Sequence, residues 1–239
     1  MRSRRIGCLM KIVLCSLVIT STPAKAEWAA LKWDACGSQV VSKRFACDSN
    51  PGESRMVVFA YRDSVGFFTS AFTCSLDVVV EAQRLPSWWM LGTTECRAGA
   101  LVESLIPDPA DVQCTDAWQG ELAHGMVIAS DATSAQTHLW IEGVDLTETV
   151  QMTAHVEVFV VALTLRHDKS VGASSCAGCS TSACVLLRDV TFVDENGGST
   201  THMPLPPEQT MLVWQGGSPS CAAVPIRNRT WSDVKALYR

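Results

Sequence analysis

Residues 153–166, TAHVEVFVVALTLR, constrain the fold more than any other stretch of this chain. Read at period two, Phe159, Val161, Leu163 and Leu165 share one face, and Val156, Val158, Val160 and Ala162 share the other. A β-rich run that is apolar on both faces is predicted to be a central strand. The segment after it, Arg166 to Leu187, reads RHDKSVGASSCAGCSTSACVLL and places Cys176, Cys179 and Cys184 within nine residues. Then ACVLLRDVTFVDENGG reads as a second strand, closed by Asn196-Gly197-Gly198. The cysteine-rich segment is thus a loop between two core strands.

Other segments repeat the strand signature. Residues 71–81 alternate, with Phe72, Cys74, Leu76, Val78 and Val80 on the apolar face. Residues 56–63, 121–129, 137–145 and 210–215 read as further strands, and no internal repeat is visible. This spacing predicts an all-β fold: a single, jelly-roll-like β-sandwich of roughly eight to ten strands, with an immunoglobulin-like Greek key as the alternative. No sustained helical period appears before residue 229. Beyond it, Thr230 or Ser232 is placed to cap a short helix carrying Trp231, Val234 and Leu237 on one side. The expected organisation is a leader over 1–26, a sandwich domain over 27–216, and a linker with a helical tail over 217–239.

The leader has the marks of a secretory signal peptide of bacterial type. Arg2, Arg4 and Arg5 precede a short apolar core from Ile12 to Ile19, and Ala24-Lys25-Ala26 has a small-x-small cleavage pattern. No later run reaches the ~20 apolar residues that a membrane-spanning helix needs. Cleavage after Ala26 is expected, giving a secreted, periplasmic or extracellular protein. Five of the nineteen basic residues lie in the leader, which holds no acid, so fourteen basic residues face twenty-four acidic ones in the remainder. A net charge of −10 with no basic run excludes nucleic acid as a partner, since phosphate binding rests on clustered Lys and Arg.

Nine cysteines follow the leader, and in an oxidising compartment they are disulfide candidates first. Proximity in sequence suggests Cys36–Cys47 and Cys96–Cys114. Within the dense loop, Cys176–Cys184 with Cys179–Cys221 is preferred, and exchanging Cys176 and Cys179 stays open. Nine is odd, and Cys74, on the apolar face of its strand, is expected to be the free thiol.

Three chemistries compete with a purely structural role for these residues: metal binding, thiol redox chemistry and sugar stacking. His167, Cys176, Cys179 and Cys184 have the residue types of a Cys3His zinc site, but a second C-x2-C pair is missing, so no metal or other cofactor is expected. The C-x-x-C pair lacks a following helix that would activate a redox thiol. His124, His138, His155 and His202 share no ligand spacing, and no nucleophile elbow or zincin motif is present. All eight tryptophans lie beyond the leader. Trp88 and Trp89 are adjacent, so in an extended chain they point to opposite sides, one inward and one outward. Trp88 or Trp89, with Trp118 next, are the candidates for stacking on a sugar ring. His167 is the candidate for a role beyond structure.

Several motifs together resemble those of a group of secreted bacterial proteins with no assigned activity. They are Trp33-Asp34-Ala35-Cys36, Phe45 to Asn50, Pro86 to Trp89, Cys96 to Leu101, His167 to Cys179 and Thr230 to Arg239. The resemblance spans nearly all of the chain after the leader. It implies an exported, disulfide-bonded protein, adds no mechanism, and does not include Cys74 in its pattern. The ending resembles one that recurs on otherwise different exported proteins, which implies a sorting or anchoring role for 217–239. The function expected is therefore a non-enzymatic binding or surface role, with a polysaccharide or cell-surface component as the partner class. A carbohydrate-binding module and a secreted hydrolase or metal-binding enzyme are the alternatives.

Overall fold

A computed structural model describes residues 27–63, 67–109, 111, 113–116, 118, 123–131, 134–144, 149–194, 200–203, 205 and 209–216. Thirteen strands appear among them: β1 Glu27–Trp33, β2 Ser42–Lys43, β3 Glu53–Arg62, β4 Phe67–Val80, β5 Leu101–Ser104, β6 Cys114–Asp116, β7 Ala123–Asp131, β8 Gln136–Val144, β9 Val150–Met152, β10 Glu157–Arg166, β11 Ala183–Asp194, β12 Thr200–His202 and β13 Met211–Trp214. They form two sheets. Sheet 1 has the order β1-β3-β10-β5, with β6 also pairing β10. Sheet 2 has the order β2-β13-β11-β4-β8-β7, with β12 on β11 and β9 on β4. The chain passes repeatedly from one sheet to the other, which is the winding of a jelly-roll-like sandwich.

The core lies between the sheets. Val58, Val161 and Leu163 of sheet 1 join Phe72, Leu76, Ile141, Val190 and Phe192 of sheet 2 in one apolar cluster. β10 is central, as its two apolar faces require, flanked by β3 on one side and by β5 and β6 on the other. Its register against β3 slips at Val160. The Val160 carbonyl accepts a hydrogen bond from Trp118 Nε1 at 3.2 Å, so the irregularity leaves no buried acceptor unmet there. β8 alternates strictly between half-buried and buried positions, with Thr137, Leu139, Ile141 and Gly143 inward. Gly143 admits no side chain, because a Cβ there would lie 2.3 Å from the Phe72 ring.

Cys74 sits on the inner face of β4, free and fully buried. Among the described residues no helix is long and apolar enough to cross a membrane. The expected leader and the expected C-terminal helix lie outside the described residues.

Three bridges run between distant parts of the chain: Cys36–Cys114, Cys47–Cys179 and Cys96–Cys176. Cys184 is also disulfide-bonded, to a partner outside the described residues. These pairings overturn the local ones. Cys36 follows β1 of sheet 1 and Cys47 follows β2 of sheet 2, so eleven residues of sequence separate cysteines that belong to opposite sheets. Cys96 and Cys114 lie toward opposite ends of β10, because Leu101 pairs with Leu165 whereas Cys114 pairs with Glu157. Cys176 and Cys184 diverge because β11 begins at Ala183 and Cys184 joins a separate apolar cluster with Val79, Leu186 and Val213. Cys179 pairs with Cys47, so it is not available to Cys221, and Cys176 is not either.

Candidate functional site

The loop between β10 and β11 is fastened to two other loops. Cys176 ties it to the segment before β5, and Cys179 ties it to the segment after β2. Asn50 and Val171 exchange hydrogen bonds, Asn50 Nδ2 donating to the Val171 carbonyl at 3.2 Å and Val171 N donating to Asn50 Oδ1 at 3.0 Å. Lys169 Nζ donates to the Cys96 carbonyl at 2.6 Å. Ala177 N donates to Ser87 Oγ at 2.8 Å, and Trp88 N donates to the Ala177 carbonyl at 2.9 Å. Gly178, between the two bridging cysteines, has φ +102°, and a Cβ there would lie 2.2 Å from Pro86. Only glycine takes that backbone conformation without strain and lets the loop approach so closely.

Beneath this clasp the rings assemble. Trp214, at the end of β13, stacks on Trp88 with centroids 5.5 Å apart and meets Trp89 edge-on at 5.9 Å. Trp33 lies 6.1 Å away on the sheet 1 side. Phe45 packs on the His167 ring at 3.9 Å. Gln215 holds the Phe45 backbone from both sides, accepting from its N–H at 3.2 Å and donating to its carbonyl at 2.5 Å. Trp88 Nε1 donates to Ser170 Oγ at 3.1 Å, and Ser170 Oγ donates to the His167 carbonyl at 2.6 Å.

Two charge-bearing groups are enclosed here. Arg97 is 0 % exposed, with its guanidinium carbon 3.8 Å from the Trp88 ring centroid. Its Nη2 donates to the Arg166 carbonyl and reaches Asp168 Oδ1 at 3.4 Å, while Nη1 lies 3.5 Å from the Trp88 carbonyl. Burial brings its pKa down to about 10, with Asp168 opposing the shift. His167 is 7 % exposed, and its Nε2 lies 2.9 Å from Ser54 Oγ. Burial, with the nearby charges of Arg97 and Lys43, lowers its pKa to about 4 against the opposing pull of Asp168. His167 is therefore a neutral imidazole at pH 7.

This arrangement corrects the sequence reading at several residues. Trp88 is 0 %, Trp89 1 % and Trp118 3 % exposed, so none offers a ring face to a sugar. The alternation argument fails at Trp88-Trp89 because Ser87–Trp89 is a single 3-10 turn rather than an extended strand. Both rings turn into the same cluster. Cys176, Cys179 and Cys184 are all oxidised to disulfides, so the zinc set loses its three thiolates. His167 does belong to the cluster, but as a buried neutral ring. Arg97 and Trp214 are central to the cluster and were not singled out by spacing, since a lone arginine after a cysteine and a lone tryptophan in a short strand carry no period.

A second constellation lies on the outer face of sheet 2, where β4, β8 and β11 run side by side. Asp77 is buried and accepts from His138 Nδ1 at 2.6 Å and from Arg188 Nε at 2.7 Å. Burial alone would raise its pKa, but the hydrogen bonds from His138, Arg188 and Gln136, with the charge of Arg188, outweigh that and hold the carboxyl below its ordinary value. Arg188 lies at a register slip between Leu187 and Asp189. Along the same face, Trp140 Nε1 donates to Glu142 Oε1 at 2.7 Å. Thr191 Oγ1 donates to Asp189 Oδ2 at 2.8 Å and lies 2.8 Å from His202 Nδ1. His138, Trp140 and Glu142 are the half-buried positions of β8. His138 is held from the neighbouring β4 by Asp77, and Trp140 and Glu142 are held by each other along β8.

No family model and no curated relative matches this chain. Among solved structures, the chain is similar to a cohesin module from a family 33 glycoside hydrolase of Clostridium perfringens, at 7 % identity and a TM-score of 0.31, over 76 % of this chain and 98 % of that one. It is also similar to a type II cohesin domain from the cellulosome of Acetivibrio cellulolyticus, at 10 % identity and a TM-score of 0.34, over 81 % of this chain and 96 % of that one. Similarity of this order bears on neither an activity nor a partner.

Proposed function

We propose that the chain is an exported, non-enzymatic binding module that presents the β8 row on the outer face of sheet 2, with Asp189 of β11 nearby, to a protein partner. One observation carries this reading. β8 places His138, Trp140 and Glu142 in a row at its half-buried positions, and their polar groups are already held, by Asp77 for His138 and within the pair for Trp140 and Glu142. Groups held before contact lose little freedom on binding. A tryptophan at such a position is the residue type that most often dominates interface energetics. Glu142 and Asp189 on this face, and the net charge of −10 after the leader, favour a partner that offers basic side chains. The clasp's part is to hold the sandwich rigid in the absence of a cytoplasmic environment.

The test is binding of the purified chain, residues 27–239, to isolated envelopes of the producing cell, with Trp140→Ala and Glu142→Lys beside the parent protein. The expected result is saturable binding that weakens with salt and drops at least tenfold in both variants, with the melting temperature preserved. Binding that is unchanged in both variants would sink the proposed face.

A further inference from the structure

Val79, Cys184, Leu186 and Val213 form an apolar cluster of their own, with Met211 packed against it, apart from the main core. They sit together by register: Val79 pairs with Cys184, Cys184 with Val213, and Leu186 with Met211. Their strand neighbours Val78, Val185 and Leu212 belong to the core between the sheets, so this cluster lies on the opposite, outer face of sheet 2. Every member comes from sheet 2 itself, yet Val79 is 2 % and Cys184 0 % exposed. Side chains on the open face of a sheet are not sealed to this degree by their own strands. Something lies over them.

Cysteine accounting names it. Cys36, Cys47, Cys96, Cys114, Cys176 and Cys179 are paired with one another, and Cys74 is free. Cys184 is disulfide-bonded, and the remaining cysteines are Cys8, Cys15 and Cys221. Cys8 and Cys15 belong to the leader segment. We infer that the C-terminal segment, residues 217–239, docks on the outer face of sheet 2 over Val79, Leu186, Val213 and Met211, fastened by a Cys184–Cys221 disulfide.

Reach, chemistry and charge agree with this. Val213 lies beside Cys184 on the neighbouring strand. Cys221 is five residues beyond Gly216, the last described residue of β13's exit, and five residues span up to ~17 Å. That is enough to return over the three residues from Gly216 to the level of Val213. The segment carries apolar residues to meet the patch, Val224, Ile226, Trp231, Val234 and Leu237. It also carries Arg227, Arg229, Lys235 and Arg239 against the single acid Asp233, so it is basic while the rest of the exported chain is strongly acidic. The patch is made by residues of β4, β11 and β13 and includes none of the β8 row. The inference therefore does not depend on the binding face proposed above.

The experiment uses residues 27–239 with a protease site placed between Gly217 and Ser218. After cleavage, the tail fragment is expected to stay with the body through gel filtration in denaturant. It should be released only when dithiothreitol reduces the bridge, the two sulfurs becoming thiols and the reagent closing to its cyclic disulfide. A peptide map of the unreduced protein should link Cys184 to Cys221. Cys221→Ser should raise the thiol count in denaturant from one to two per chain. A double variant, Cys184→Ser with Cys221→Ser, removes the covalent link without stranding a thiol, and it should bind several-fold more bis-ANS as the patch becomes uncovered. Release of the tail without reductant, or a Cys184 linked to a second chain, would overturn the disulfide. Unchanged bis-ANS binding in the double variant and in a chain ending at Gly216 would overturn the docking.

Discussion

The clasp and the outer face of sheet 2 use the same side chains to opposite ends. Each has a tryptophan, a histidine, an arginine and an aspartate. In the clasp, Arg97 and His167 are enclosed among rings, and burial drives both pKa values down, to about 10 and about 4. On the outer face, Asp77 is buried too, but His138 and Arg188 converge on it and its carboxyl is held ionised. The clasp encloses His167 as a neutral ring and Arg97 as a cation against the Trp88 face, and it binds the chain to itself. The outer face satisfies its charges and leaves their outer edges to solvent. Residue type alone does not assign a role; the count of partners and the depth of burial do.

The largest effect that would break this contrast comes from the clasp's longest bridge. Cys47 and Cys179 are 132 residues apart in sequence. Replacing both by Ala is expected to cost up to roughly 5 kcal/mol in the chain-entropy picture, read as a large fall in the denaturation midpoint. A midpoint shift below a quarter of that would mean the clasp does not hold the fold. Next come the rings. Trp88→Ala should destabilise by about 4 kcal/mol, as expected for a fully buried aromatic, whereas Trp140→Ala should cost under about 1 kcal/mol and act on binding instead. Equal losses of stability at the two positions would erase the distinction between the regions.

The pH dependence separates them further. The pKa of His167 is lowered from the ordinary 6.5 to about 4, so the neutral ring's contribution is full above pH 6.5. It falls away as pH drops toward 4, by up to roughly 3 kcal/mol. Asp77 works at lower pH. Its folded pKa is depressed, so its contribution is full above the ordinary carboxylate value and is lost as pH falls through the folded value. His167→Gln should flatten the stability profile between pH 6.5 and 4, and Asp77→Asn should flatten it only below about 4. Urea midpoints across pH 3 to 8 measure both. The smallest effect is chemical. Burial, with the charge of Asp189, pushes the Cys74 thiol well above its ordinary pKa. It should therefore not react with an aromatic disulfide reagent in the native state and should count as one thiol per chain in denaturant.

The sheet core was legible from local pattern. β10 is apolar on both faces because it is central, β4 and β8 alternate because one face of each is inward, and each of these signals sits within one strand. β1 was missed because EWAALKW puts Ala29, Ala30 and Leu31 in succession and hides its period, although all three are buried. The candidate site was less legible because it is made by contacts across the whole chain. Trp88 reaches Trp214, Phe45 reaches His167, and Cys47 reaches Cys179. Proximity in sequence ranks cysteine pairs by loop length, while the sandwich ranks them by which sheet each leaves. A run of Ser-Trp-Trp reads as extended until Pro86 and the Ala177 carbonyl fold it into a turn.

Central to this account is that the cysteine loop binds distant loops into one buried cluster. A disulfide map of the unreduced protein, by mass spectrometry of peptides cleaved at acidic pH, tests it most directly. The account predicts linked peptides joining Cys36 to Cys114, Cys47 to Cys179 and Cys96 to Cys176. Peptides linking Cys36 to Cys47 and Cys96 to Cys114 would contradict it.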